Sequence, residues 1–154
     1  MKIINLKKEN QAEIISRAVS VLRRGGIIIY PTETCYGLGA DATNSRAVQK
    51  ILQYKGERLG KPILIAVDSQ KMAENYVDLN STAKSFYKNF LPGPVAVVSK
   101  SKGKVAPGIE AANHTLGVRI PDYSLILQLI SQFGRPITST SANTSGKKTP
   151  YSLA

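Results

Sequence analysis

Between Gln11 and Arg24 the apolar residues Ile15, Ala18, Val19 and Leu22 recur at the three- and four-residue intervals of one helical face. Gly25-Gly26 is expected to close that helix, because glycine accepts the left-handed conformation found at helix C-termini. The run Ile27-Ile28-Ile29-Tyr30 follows at once. It is short, β-branched and bounded by Gly and Pro, and predicts a buried strand ending at Pro31. Ala47, Val48, Ile51 and Leu52 mark the inner face of a second helix, starting near Asn44 or Ser45 and stopping about Lys55-Gly56. Pro62–Val67 predicts another buried strand. Ser69–Val77 and Ser81–Phe90 predict helices parted by the turn-forming Asp78–Asn80 stretch, and Leu91-Pro92-Gly93-Pro94 ends the second. Val95–Ser99 reads as a strand, Lys100–His114 as a polar, lysine-rich loop and Gly117–Ile120 as a short strand. Asp122 is expected to cap a helix facing inward with Leu125, Ile126, Leu129, Ile130 and Phe133 and ended by Gly134. Pro136–Ser139 then returns as a strand.

Strands alternating with helices indicate an α/β fold or a mixed sheet covered by helices. Residues 1–154 show no internal repeat, low-complexity tract or linker, so one domain is expected. Thr149-Pro150 is a helix-start signal followed by only four residues. The chain therefore reads as a C-terminally truncated fragment or an unusually short homologue.

Composition adds little until charge is counted. The 42% hydrophobic and 20% charged residues are those of a soluble globular protein. The longest apolar runs, Ile27–Tyr30 and Ile63–Val67, fall far short of the roughly 18 residues of a membrane helix. MKIINLKKEN holds no secretory run, and one cysteine excludes an internal disulfide or a cysteine-built zinc site, so the expected compartment is the cytoplasm. Twenty-one Lys and Arg against ten Asp and Glu leave a net charge of +11, which suits polyanions such as nucleic acid or phosphorylated small molecules.

Two loops that follow buried strands are the candidate chemistry. Tyr30-Pro31-Thr32-Glu33-Thr34-Cys35-Tyr36-Gly37-Leu38-Gly39 packs hydroxyls and glycines at a strand end, where open α/β sheets place ligands, and its glycines would let backbone approach a ligand closely. Thr138–Gly146 carries hydroxyls on six of nine residues, a density able to cradle an anion. Well-made turns would use the same residue types. Between the loops, Lys55, Arg58 and Lys61 fall within seven residues; a helix dipole explains Lys55, whereas phosphate neutralisation would use all three.

The PTETxYGLG loop, the basic KG-R-KP segment, the LPGP break, the GVRIP strand and the TSTSANTSG loop appear in that order. Together they resemble the YrdC-like threonylcarbamoyl-adenylate synthases over about Arg24 to Pro150. The resemblance implies an α/β fold with a twisted mixed sheet, flanked by helices, around a basic cavity. It implies a reaction joining L-threonine, bicarbonate and ATP into threonylcarbamoyl-adenylate and pyrophosphate, for modification of tRNA, with Mg2+ accompanying the nucleotide. It places Lys55, Ser141 and Asn143 at the nucleotide, as parts of K-x-R and S-x-N motifs, with Thr149 as a phosphate contact. Glu57 stands where the K-x-R arginine is due; a shifted loop with Arg58 supplying the guanidinium is expected, since an acid beside triphosphate would repel it. Thr32, Arg119 and Ser139 match threonine contacts, Arg119 being suited to the carboxylate. Lys55 and Arg58 would neutralise charge in the transition state.

Cys35 is expected to be a packed, inert thiol and His114 a solvated side chain. Gly146-Lys147-Lys148-Thr149 lacks the upstream glycine and adjacent hydroxyl of a P-loop. Lys100, Lys102 and Lys104 are expected in a mobile basic loop, with a lid as the other reading. No carboxylate cluster marks a protein-held metal site. The expected partners are threonine, bicarbonate, ATP, tRNA or other RNA through the basic surface, and a downstream threonylcarbamoyl-transferase complex, with no membrane. Two other functions fit less well: a double-stranded RNA-binding module, disfavoured by the 6% aromatic content and lack of an RNA-binding motif, and a carbamoyl-adenylate-handling domain like those of hydrogenase maturation proteins.

Overall fold

The computed structural model of the chain describes residues 3–7, 10–56 and 61–152. The first helix, α1 (Gln11–Arg23), buries Ile15, Val19 and Leu22. It closes as a Schellman motif: Gly25, at φ 69°, donates to the Leu22 carbonyl at 2.9 Å and Gly26 to the Val21 carbonyl at 2.9 Å. Strand β1 (Ile28–Tyr30) leads to β2 (Gly37–Gly39), and α2 (Ser45–Lys55) follows with Asn44 as its side-chain N-cap. Then come β3 (Leu64–Ala66), the short α3 (Gln70–Ala73), β4 (Val77–Asp78) and α4 (Ser81–Phe90). The chain finishes with β5 (Val97–Ser101), β6 (Thr115–Arg119), α5 (Ser124–Phe133) and β7 (Ile137–Ser141).

The seven strands form one mixed sheet in the order β1-β2-β7-β3-β6-β5-β4. Only β3 and β6 pair in parallel; the other five pairings are antiparallel. Strand side chains alternate between faces, and β3 shows the consequence. Its Ile65 packs with Val48 of α2 and Ala83 and Tyr87 of α4, whereas its Ala66 packs with α1 and α5. Two helical layers thus sandwich the sheet. Among the described residues no helix is long and apolar enough to cross a membrane.

Several expectations are corrected. The first loop contains a strand, β2, that periodicity missed because Gly-Leu-Gly lacks β-branched residues. Its glycines also serve packing: a Cβ at Gly37 or Gly39 would lie 2.7 or 2.8 Å from the Tyr30 ring, which rests across them. The predicted Ser69–Val77 helix stops at Ala73, because Val77 and Asp78 leave to pair with Ser101 and Lys100 of β5. Asp122 does not cap α5; Tyr123 holds the N-cap position without a side-chain hydrogen bond, and burial of the apolar face carries that helix instead. No helix begins at Thr149-Pro150 within the described residues.

The Lys100–His114 segment is no mobile lid. Lys102 Nζ donates to the Glu74 carbonyl at 2.7 Å and lies 3.6 Å from Asp78. Ala106 N–H donates to the Ala42 carbonyl, and Ile109 is fully buried with its carbonyl accepting from Ile63 N–H. His114 matches its expectation, with a side chain 86% exposed.

Tyr30 is buried and its hydroxyl donates to the Thr138 carbonyl at 3.1 Å. Burial pushes its phenol up to about 12, against the opposing pull of Ser139 and Arg119; burial also raises Tyr76 and Tyr87. A phenol raised in the folded state stabilises it fully below the unfolded value of 10.0, and that contribution is lost as pH climbs through about 12. Denaturant midpoints should therefore fall across this alkaline window, and less steeply for Tyr30→Phe. Gly39→Ala should cost about 1–3 kcal/mol in urea unfolding, by forcing the Tyr30 ring to shift.

Candidate functional site

β7 lies between β2 and β3, and this placement builds the site. It carries the Ser139–Ser141 stretch alongside the end of the β1–β2 hairpin, with Gly37 opposite Ser141 and Leu38 opposite Thr140. On its other flank Leu64 of β3 sits opposite Ser139, and Arg119, last in β6, pairs with Ala66. Residues widely separated in the chain therefore meet around a cavity of about 280 Å3. Thr32, Cys35, Gly37, Pro62, Leu64, Arg119, Ser139, Thr140 and Ser141 line it.

The hairpin loop is organised by Thr32. Its Oγ1 accepts from the N–H groups of Thr34 and Cys35, each at 3.2 Å, and donates to the Cys35 carbonyl at 2.8 Å. Such local hydroxyl bonds hold a turn rigid. Glu33 projects from this turn to the Arg119 guanidinium, forming an ion pair whose side chains are 13% exposed for Arg119 and 19% for Glu33. Arg119 also reaches Thr34 Oγ1 at 3.5 Å, while its Nε is buried with no hydrogen-bond partner among the described residues.

Lys55, only 4% exposed, stands one step behind the wall. Its ammonium donates to the Ser141 carbonyl at 2.8 Å, the Asn143 carbonyl at 2.6 Å and Asn143 Oδ1 at 3.3 Å. Ser141 Oγ hydrogen-bonds the same Oδ1, and the Asn143 amide donates to the Lys147 carbonyl. Ser145 N–H returns to the Lys55 carbonyl at 3.0 Å, so the loop after β7 satisfies the C-terminus of α2. The next segment closes on the hairpin loop, with Tyr36 N–H donating to the Pro150 carbonyl at 3.0 Å.

Of the sequence-predicted residues, Thr32, Arg119, Ser139 and Ser141 share the cavity wall. Lys55 and Asn143 are joined to Ser141 from behind it. Thr149 is half-buried beside Pro150 and is not among the lining residues. Arg58 lies outside the described residues. Among the described lining residues Arg119 alone is a cation, and Glu33 pairs with it. Cys35 is corrected from packed to half-exposed on the cavity wall. Sequence reasoning also passed over Glu33, whose charge opposes the cationic pattern being sought, and Leu64 and Thr140, whose faces depend on strand register.

The Sua5/YciO/YrdC family model, described as telomere recombination, matches residues 20–154. The chain is 35% identical over 135 residues to a threonylcarbamoyl-AMP synthase of Photobacterium profundum, covering 86% of this chain and 73% of that protein. The crystal structure of P. abyssi Sua5 complexed with L-threonine superposes with a TM-score of 0.84 at 36% identity, over 88% of this chain and 40% of that one. Full-length HypF in its phosphate- and nucleotide-bound form superposes at 0.78 with 26% identity, over 88% of this chain and 21% of that one. The chain thus spans well under half of the two structural relatives.

Lys55→Met keeps the buried stem and removes the ammonium. It leaves the Ser141 and Asn143 carbonyls short of a donor, for which a loss of about 1–3 kcal/mol is expected. Hydrogen exchange at the Ser145 amide should accelerate in the variant; unaltered exchange there would show that the loop stands without Lys55.

Proposed function

The chain belongs to the Sua5/YciO/YrdC family, and from that premise we propose that it is a threonylcarbamoyl-AMP synthase, a nucleotidyl-transferring enzyme that condenses L-threonine, bicarbonate and ATP. The observation that carries the reading is Arg119, a guanidinium set in the wall of a small cavity otherwise rich in hydroxyls. At about 280 Å3 the cavity falls just below the roughly 300–1,000 Å3 of most small-molecule sites, a size for an amino acid rather than a whole nucleotide. Arg119 would fork onto the threonine carboxylate, with Thr32 and Ser139 supplying hydroxyl partners. The threonine-bound Sua5 relative supports an L-threonine site on this fold.

The nucleotide would lie against the loop held by Lys55, with Ser141 and Asn143 as polar contacts and Thr149 and Arg58 further along its phosphates. The nucleotide-bound HypF structure is consistent with a phosphate-bearing ligand on this fold. In the reaction the threonine ammonium first gives up a proton; the free amine bonds to the carbon of CO2 with loss of a second proton, or to that of bicarbonate with loss of water, giving a carbamate. A carbamate oxygen then attacks the α-phosphorus, and the bond to the bridging oxygen of pyrophosphate breaks. Two anions must be held together while charge shifts to the leaving group, so positioning and fixed donors supply the catalysis. Magnesium would enter with the triphosphate as part of the substrate. Among the described residues no group of three or more His, Cys, Asp or Glu side chains could hold a metal ion.

The product would pass to a transferase complex that modifies tRNA, and the chain's net charge of +11 suits a tRNA contact. The relatives' names do not favour the double-stranded RNA module as the primary function.

Pyrophosphate release measured with each substrate omitted in turn tests the reading. Release should require threonine, bicarbonate and ATP together, and Arg119→Ala should lower kcat/KM for threonine roughly 30-fold or more. No release with all three present would sink the proposal.

A further inference from the structure

We propose that Glu33 sets the ligand specificity of the cavity. It pairs with the Arg119 guanidinium, yields it to an incoming carboxylate, and then pairs with the ammonium of the same ligand. The site thereby accepts zwitterionic amino acids and rejects plain carboxylates. The inference rests on the function proposed above and names the discriminating residue of that site.

Three observations carry it. First, the side chains of the Glu33–Arg119 pair are 19% and 13% exposed, so the ion pair is partly screened from water although Glu33 as a whole residue is exposed. Charges in such a place must stay compensated, because leaving one alone costs far more than at the surface. Second, Glu33 does not saturate the guanidinium. Its contact is through one terminal nitrogen, the other reaches only Thr34 Oγ1 at 3.5 Å, and Nε is buried without a hydrogen-bond partner among the described residues. A ligand carboxylate taking two of these donors in a fork would hold Arg119 better than Glu33 does. Third, Glu33 lies between Thr32 and Cys35, both on the cavity wall, in the turn bounded by Tyr30 and Gly37. Glu33 is not itself a lining residue, but Thr32 and Cys35 of the same turn are, so a rotation of its side chain would free Arg119 and leave the carboxylate beside the cavity.

Among the described lining residues and their ion-pair partner, charge counting then favours one class of ligand. Arg119 and Glu33 together are neutral. A plain carboxylate entering the cavity leaves one uncompensated negative charge beside displaced Glu33. A zwitterion adds no net charge: its carboxylate takes Arg119, and its ammonium meets the carboxylate that was expelled. The repulsive element and the attractive one are the same side chain, as selective sites require. Cys35 lines the wall as well, and Lys55 stands behind Ser141 with its ammonium directed to loop carbonyls.

Titration calorimetry with L-threonine and with 3-hydroxybutyrate, the same skeleton lacking the amine, tests this on the full chain and on Glu33→Gln and Glu33→Ala. Thermal melting of each variant checks that it is folded, and two variants guard against loss of one. The unaltered chain should prefer threonine by about tenfold or more, and both variants should lose most of that preference, threonine weakening and hydroxybutyrate tightening. Threonine binding with no preference in the unaltered chain, or a preference kept within about twofold in both variants, overturns the role of Glu33 alone. Absence of threonine binding in all three proteins overturns the function proposed above, and this inference with it.

Discussion

The site hangs on one ammonium group. Lys55 ends α2, and its side chain runs back into the protein to hold the carbonyls of Ser141 and Asn143. A buried cation is costly unless hydrogen-bonded, and here the bonds go to the loop that must be held still. The arrangement works in both directions. The carbonyl-rich end of a helix favours a cation, and the Lys55 carbonyl is in turn capped by Ser145 N–H. Helix end and loop therefore fix one another, and Ser141 inherits its place on the cavity wall from that bond.

The second constraint is topological. β7 enters the sheet between β2 and β3 rather than joining an edge. Its neighbours on one side come from residues 37–39 and on the other from 64–66, so a single late strand sutures the early hairpin to the rest of the sheet. Tyr30 reinforces the seam, lying across Gly37 and Gly39 with its hydroxyl on the Thr138 carbonyl. Asp41 does the same at the next position, its buried carboxylate meeting Arg135 at 3.0 Å and Thr43 Oγ1 at 2.6 Å.

Much of this was legible in the sequence wherever a physical signal was local. α1, α2, α4 and α5 were marked by apolar spacing and by Gly25, Asn44 or Gly134, and all four formed within a residue or two of expectation. β2 and β4 were not, since a Gly-Leu-Gly triplet and a two-residue strand owe their state to partners distant in the chain. The site divided in the same way. Thr32, Ser139 and Ser141 belong to hydroxyl-rich segments that stand out beside strands, whereas Arg119 was reached only through the family resemblance. That Arg119 would be met by Glu33, or that the lysine-rich Lys100–His114 segment would be docked through Ala106 and Ile109, depends on folded proximity that no motif encodes.

The interior position of β7 also governs how the chain can assemble. An N-terminal portion lacking residues 137–141 would expose the inner edges of β2 and β3, each with unsatisfied backbone groups facing the gap. During synthesis those edges must wait for β7 to emerge, a long-range pairing that is slow by its nature and open to mispairing in the interval. The architecture that brings distant loops to one cavity thus makes completion of this sheet, and with it the cavity wall, depend on a long-range pairing rather than a local one.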